Sequence, residues 1–234
     1  MAALSDWKSF WDSDHSIYVN TRHKDVHYRT IAEQIAAFVP GPQARVLDYG
    51  CGEALHAEVV AAAAAQVLLS DSADSVRAAM ARRLAGNSRI KVLSPDEVAA
   101  LPDRSLDLIV SNSVVQYLTL RELERLLALW RRLLAPGGSL IVADVIPPDV
   151  GKLSDVAALL RFAAQHGFLL AALAGLARTA VSPYRKLRST LGIAQYAEAD
   201  FMQKLVAAGF AAERLPHNLE HNPARMTFRA RATS

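Results

Sequence analysis

The stretch D-Y-G-C-G, Asp48 to Gly52, places two glycines where a short aliphatic run, Arg45 to Tyr49, ends and an alanine-rich segment begins. Glycines at a strand-to-helix turn let the backbone turn tightly and let a ligand approach the main chain. A dinucleotide fingerprint requires a third glycine for close helix packing, and that position is Leu55. No G-K-[ST] follows, so a Walker loop is excluded as well. Asp71 closes the next aliphatic run, QVLLSD, 19 residues after Gly52. A carboxylate at that point is placed to accept hydrogen bonds from the two hydroxyls of a ribose, or to cap the helix that follows. The paired glycines and the acid together favour a ligand site over a plain strand-to-helix turn.

The elements that must position these residues alternate regularly. Strands are expected at Arg45 to Tyr49, Gln66 to Asp71, Arg89 to Leu93, Leu106 to Ser111 and in SLIVADV after Pro136 to Gly138. Helices fall between them: Glu53 to Ala65, Asp74 to Leu84, and a short one opened by the capping box of Ser94 and Glu97 with Pro95 at its first position. A second capping box, Thr119 and Glu122, opens a helix with Leu123, Leu127, Trp130 and Leu134 on one face. A final helix, Glu198 to Gly209, precedes two last strands joined by the seven-residue loop HNLEHNP. This order predicts an α/β fold: a doubly wound, Rossmann-like, mostly parallel sheet with ligands at the carboxyl ends of its strands. Four segments are expected: an N-terminal helical arm over 1–42, a core over 43–148, a helical cap over 149–195, and a last helix and β-hairpin over 196–234 that complete the core.

The 234 residues are 52% hydrophobic and 21% charged, which excludes general disorder. The single cysteine, Cys51, leaves no intrachain disulfide and fits a reducing compartment. No signal peptide and no membrane span are expected, and the localisation read from this is cytoplasmic. The net charge of +3 implies no nucleic acid by itself, although Lys152 to Gly192 carries six Lys/Arg against one acid.

VLDYGCGEAL, LLSDSADSVRAAM, LDLIVSNSVVQYL and RRLLAPGGSLIVADV resemble, in order and spacing, the successive motifs of class I S-adenosylmethionine-dependent methyltransferases of the small-molecule type. The resemblance implies a seven-stranded sheet with an antiparallel last strand, and S-adenosyl-L-methionine as cofactor. It assigns Asp48, Gly50, Cys51 and Gly52 to the loop around the methionine part. It assigns Asp71 to the ribose, with Ser72 and Ala73 beside the adenine. Ser111, Asn112 and Ser113 would face the methionine end, with Gln116 and Tyr117 near the methyl group. Relatives often carry an acid in a G-D-A-type segment after the third strand; here SPDE stands, and Asp96 is the candidate.

The function so implied is methyl transfer by in-line displacement to a small hydrophobic acceptor. The alternative is a catalytically inactive cofactor-binding protein of the same fold. An oxygen or nitrogen acceptor can require a general base. The residues offer His15, Tyr18, His23, His27, Tyr117, His217 and His221, each also readable as structural. His23 and His27 are four apart on one helix face, but with no HExxH pattern and no third ligand nearby, no metal is expected. Cys51 reads as packing in the turn and not as a nucleophile. The basic, apolar segment 153–192 is expected to cover the acceptor, and peripheral membrane contact or a homodimer through it stays open. The aromatic arm, with Trp7, Trp11 and Tyr18, is either a staple onto the sheet or a flap over the site.

Overall fold

The computed structural model of the chain describes residue 12 and residues 18–179 and 192–233. Seven strands form one sheet: β1 (Arg45–Tyr49), β2 (Gln66–Ser70), β3 (Ile90–Leu93), β4 (Leu106–Asn112), β5 (Leu134–Val145), β6 (Phe210–Arg214) and β7 (Met226–Ala232). Their spatial order is β3-β2-β1-β4-β5-β7-β6. The first five run parallel, and β7 lies antiparallel between β5 and β6. The chain winds outward from β1 to β3 and then returns to place β4 on the other side of β1. That reversal opens a crevice at the carboxyl ends of β1 and β4.

The central strands are near-continuous aliphatic runs because both faces are covered. Val46, Leu47, Leu108, Ile109, Val110, Leu140, Ile141 and Val142 are all fully buried. Helices α1 (Thr21–Phe38), α2 (Ala57–Ala63) and α3 (Asp74–Leu84) cover one face through Ala32, Ile35, Val60, Ala61 and Met80. On the other face lie α5 (Leu120–Leu133) and α8 (Glu198–Ala207), which bring Leu123, Leu127, Trp130, Phe201 and Leu205. Both expected capping boxes are present, at Ser94/Glu97 before α4 (Pro95–Ala99) and at Thr119/Glu122 before α5.

Three boundaries differ from the sequence reading, each for a local reason. The first helix, expected over roughly Asp25 to Phe38, starts at Thr21, because the Asn20 side chain accepts from His23 N at 2.8 Å and caps it. The helix expected from Glu53 starts only at Ala57: Glu53 N donates to the Tyr28 hydroxyl at 3.0 Å, and Ala54 has φ +44°. The fifth strand starts before the Pro-Gly-Gly turn, since Leu134 already pairs with Leu106 across an irregularity in the β4–β5 ladder.

Segment 149–195 holds α6 (Lys152–His166) and α7 (Leu169–Thr179), linked through Gly167 in the left-handed conformation (φ +73°). Both pack against α1. His23 stacks on Phe168 with ring centroids 4.9 Å apart, and Arg22 Nε donates to the His166 carbonyl. The run Phe168 to Ala177, apolar on all sides, is buried on one face only. Phe168 and Ala172 are enclosed, whereas Leu170 and Leu173 are exposed. Residues 180–191 of this segment and Trp7, Trp11 and His15 lie outside the described residues.

The two kinds of support for α5 differ in size. Trp130→Ala removes a fully buried indole and is expected to cost about 3–5 kcal/mol. Thr119→Ala removes only a cap and should cost about 1 kcal/mol. Urea unfolding of both variants checks the order.

Candidate functional site

The carboxyl ends of β1 and β2 are locked together by one side chain. Asp71 Oδ2 accepts from Gly52 N at 3.0 Å, and Oδ1 accepts from Ala73 N at 2.9 Å. Gly50 N and Cys51 N both donate to the Ser70 carbonyl, at 2.7 and 3.1 Å. Gly50 and Gly52 have φ of +77° and +57°. A β-carbon at Gly50 would stand 2.2 Å from Val114 Cγ2, and one at Gly52 would stand 2.5 Å from the Tyr28 hydroxyl. Backbone and space both demand glycine at these two positions.

The turn forms the floor of a cavity of about 890 Å³. Asp48, Gly50, Cys51, Gly52, Asp71, Ser72, Asp96, Asn112 and Ser113 line it, as do Tyr18, His23, His27, Gln116 and Tyr117. Ser111 does not; its side chain is fully buried in the sheet. Cys51 is also buried, with Sγ 3.7 Å from Met80 Sδ, and burial pushes its thiol well up. It therefore stays a protonated packing group. Burial holds the His23 imidazole down to about 4. Its Nδ1 accepts from Val19 N, and together with the Phe168 stack this makes it a structural histidine. The phenol of Tyr18 is raised well above its usual value by burial first, then by the neighbouring Tyr28, and is a poor base. His217 is exposed, and His56, which lines the cavity, pairs with Asp25 at 2.8 Å.

On the far side of Asn112 the cavity wall also holds residues that sequence reasoning did not select, beside His221, which it did. The connection between β6 and β7, residues 215–225, folds back over the ends of β4 and β5. It brings Glu220, His221, Asn222 and Arg225 to Asp144 of β5 and Asp155 of α6. Glu220 Oε1 accepts from Asn112 Nδ2 at 3.1 Å and lies 3.4 Å from Ser113 Oγ. Arg225 bridges Asp144 at 2.5 Å and Asp155 at 2.9 Å. Asn218 fixes Asp144 from behind: its Oδ1 accepts from Asp144 N at 3.2 Å. Ser113 and Asp144 both have positive φ, +57° and +62°, where the strands end in the site.

The expectation that the arm histidines lack a third ligand needs correction. His27, Glu220 and His221 come together from α1 and this connection, without His23. Burial alone would raise the Glu220 carboxyl, but the imidazoles of His27 and His221 and the Asn112 amide outweigh it and keep it ionised. Burial lowers His27, against the pull of Glu220. The sequence signal was only the pair of polar residues E-H inside a loop.

Four buried polar atoms of cavity residues make no hydrogen bond among the described residues: Asn112 Oδ1, Gln116 Oε1, His221 Nδ1 and Arg225 Nε. Buried polar groups are nearly always paired. Four orphans along one wall mark a surface built to be completed by a ligand.

Asp48 carries a pH consequence. Burial, and then the charge of Asp71, push its carboxyl up to about 7, whereas in an unfolded chain it lies near about 4. The folded state holds the extra proton between those values. This stabilising contribution is complete at about pH 4 and is lost as pH rises through about 7. Asp48→Asn is expected to flatten that slope in thermal melts of the ligand-free protein between pH 5 and 8. An unchanged slope would show that Asp48 titrates normally.

Residues 47–142 match a family described as "Methyltransferase domain". No curated protein sequence matches the chain. Among solved structures, the DhpI–SAH complex superposes with a TM-score of 0.63 at 17% identity, covering 98% of this chain and 97% of that one. Magnesium protoporphyrin IX methyltransferase (ChlM) from Synechocystis PCC 6803 with bound SAH gives 0.59 at 19% identity, covering 98% and 94%. A Haloferax volcanii protein solved with the Trm112 methyltransferase activator gives 0.60 at 14% identity, covering 90% and 92%. At these identities the structural likeness speaks for the fold. The domain match covers residues 47–142, the strands that carry the glycine turn, and the Rossmann-like fold of the chain is the one shared with these solved proteins.

Proposed function

We propose that the protein transfers a methyl group from S-adenosylmethionine to a small acceptor with a hydrophobic body. The observation that carries this reading is the Asp71 bridge at the floor of the large cavity. Each Asp71 oxygen has taken one backbone donor, which leaves a lone pair on each for the two ribose hydroxyls. Gly50 and Gly52 admit the ligand to the main chain. Ser72 and Asp96 take the adenine side, and Asn112, Ser113 and Gln116 the methionine end. S-adenosylmethionine, if held by these residues, would supply an activated methyl group on its sulfonium sulfur. The chain's own contribution is alignment and exclusion of water, which can supply much of such a rate. The arm helix α1 closes the cavity from above through Tyr28 and His27.

Asp155 and Leu159 of α6 line the same cavity, which supports segment 149–195 as the acceptor's cap. Ile31, Leu118, Leu126 and Leu159 give the wall its apolar stretches, suited to a hydrophobic acceptor. Such a volume is toward the upper end of the roughly 300–1,000 Å³ range of small-molecule sites. The Asp71→Ala variant should bind S-adenosylmethionine about 1–3 kcal/mol more weakly in calorimetry. Unchanged affinity would remove the assignment of the ribose. Full affinity in the unaltered chain, with no turnover on any hydrophobic acceptor pool given labelled cofactor, would favour a binding protein over an enzyme.

The exposed faces of α6 and α7 extend the reading to a membrane surface. Leu153 and Leu170 are 85% and 83% exposed, with Arg161 exposed nearby. No helix among the described residues is long and apolar enough to cross a membrane. Apolar side chains flanked by basic ones suit docking on anionic lipid, at about 1 kcal/mol per basic residue. Flotation should recover more protein with anionic than with neutral vesicles, and Leu153→Glu/Leu170→Glu should abolish the difference. Equal recovery on both vesicle types would leave the patch to a protein partner such as a second copy of the chain.

A further inference from the structure

On the acceptor side of the cavity, Nδ1 of His27, a carboxylate oxygen of Glu220 and Nδ1 of His221 lie within 4.8 Å of one another. The plain explanation is a carboxylate accepting from two imidazoles, and the geometry fits it poorly. His27 Nδ1 stands 3.6 Å from Glu220 Oε2, beyond hydrogen-bond reach. His221 Nδ1 stands 3.3 Å from the same oxygen, yet it is buried and makes no hydrogen bond among the described residues. Two ligands of one tetrahedral ion, each about 2.0–2.2 Å from it, stand about 3.4 Å apart. The two observed spacings bracket that value.

We propose that His27, Glu220 and His221 bind a divalent transition-metal ion of the zinc type. The division of labour on Glu220 suits a ligand. Oε1 is held by Asn112 Nδ2 at 3.1 Å, which leaves Oε2 facing the two imidazoles. Such outer partners orient ligating carboxylates. The ring of His221 is held by stacking on Phe162, with centroids 4.9 Å apart, and that of His27 by Tyr18 at 5.3 Å. Beside the three atoms, Asp144 and Asp155 share a single guanidinium, that of Arg225. Two nitrogen donors and one oxygen favour zinc-like ions over magnesium, which takes oxygen ligands. Three protein ligands leave a fourth position open to the cavity. Under the methyl-transfer reading, on which this clause alone rests, that position receives the heteroatom of the acceptor and lowers its proton affinity.

The test uses the full chain, stripped with a chelator and dialysed, without cofactor. Zinc is titrated in competition with a chromogenic chelator, and cobalt(II) is added separately to read the visible absorption of a low-coordinate site. One equivalent of zinc per chain and a cobalt band are expected, and magnesium should not compete. Glu220→Gln and His221→Ala should lose both signals while keeping the circular dichroism of the parent. Asn112→Ala should weaken zinc by about 10–100-fold. His217→Ala, an exposed histidine of the same connection, should match the parent. Substoichiometric zinc, retention of both signals in Glu220→Gln and His221→Ala, or equal loss in His217→Ala would each overturn the site. A variant that unfolds is replaced by His27→Gln, read by the same cobalt band. Zinc binding without methyl transfer would keep the site and remove the reaction; full turnover in the metal-free chain would keep the reaction and remove the ion's part in it.

Discussion

A carboxylate withdrawn from water must be given donors by the protein, because an unpaired buried charge costs several kcal/mol. Asp71 meets that demand with two backbone N–H groups, one from the turn after β1 and one from the start of α3. The bond to Gly52 fixes the height of the glycine turn against β2, and the turn fixes the mouth of the cavity. Tyr28 completes the arrangement from above by accepting from Glu53 N. The arm helix is thus seated on the same turn that the sheet presents. The remaining acids of the cavity solve the problem with side chains, Asp144 through Arg225 and Asn218, and Glu220 through Asn112.

These two solutions divide the site by chemistry. The half under Asp71 is built from main-chain groups, so it tolerates little change of conformation and specifies the shape of what it holds. The half around Glu220 is built from side chains on several separate elements, and some of its buried polar atoms have no partner among the described residues. Substitutions there can alter what is recognised without disturbing the glycine turn, as expected where function is grafted onto a common fold.

The sheet and the first half were legible because their signals are local. Aliphatic runs, two capping boxes, the D-Y-G-C-G turn and Asp71 all act over a few residues, and each appears where the sequence placed it. Helix α2 was read as too long because alanine content favours a helix, whereas the bond from Glu53 N to Tyr28 is a tertiary constraint that no local pattern carries. Ser111 was grouped with Asn112 and Ser113 by adjacency, but alternation along β4 turns its side chain into the sheet. Glu220 and Arg225 were passed over for a similar reason. In HNLEHNPAR they look like solvated turn residues, and only the position of β7 inside the sheet, between β5 and β6, returns their loop to the ends of the parallel strands.

That late insertion of β7 has a consequence for the order in which the protein is made. The segment from Asp48 to Ser113 leaves the ribosome about a hundred residues before Asn218 to Arg225, and domains generally begin to fold from the N-terminal side during synthesis. Until β7 pairs with β5, the growing chain exposes the edge of β5, a run of fully buried aliphatic residues in the finished fold. Such an edge is a template for mispairing. The nascent protein therefore passes through a stage at which its cofactor floor is assembled and its most adhesive strand is uncovered, the interval in which a chaperone has the most to shield.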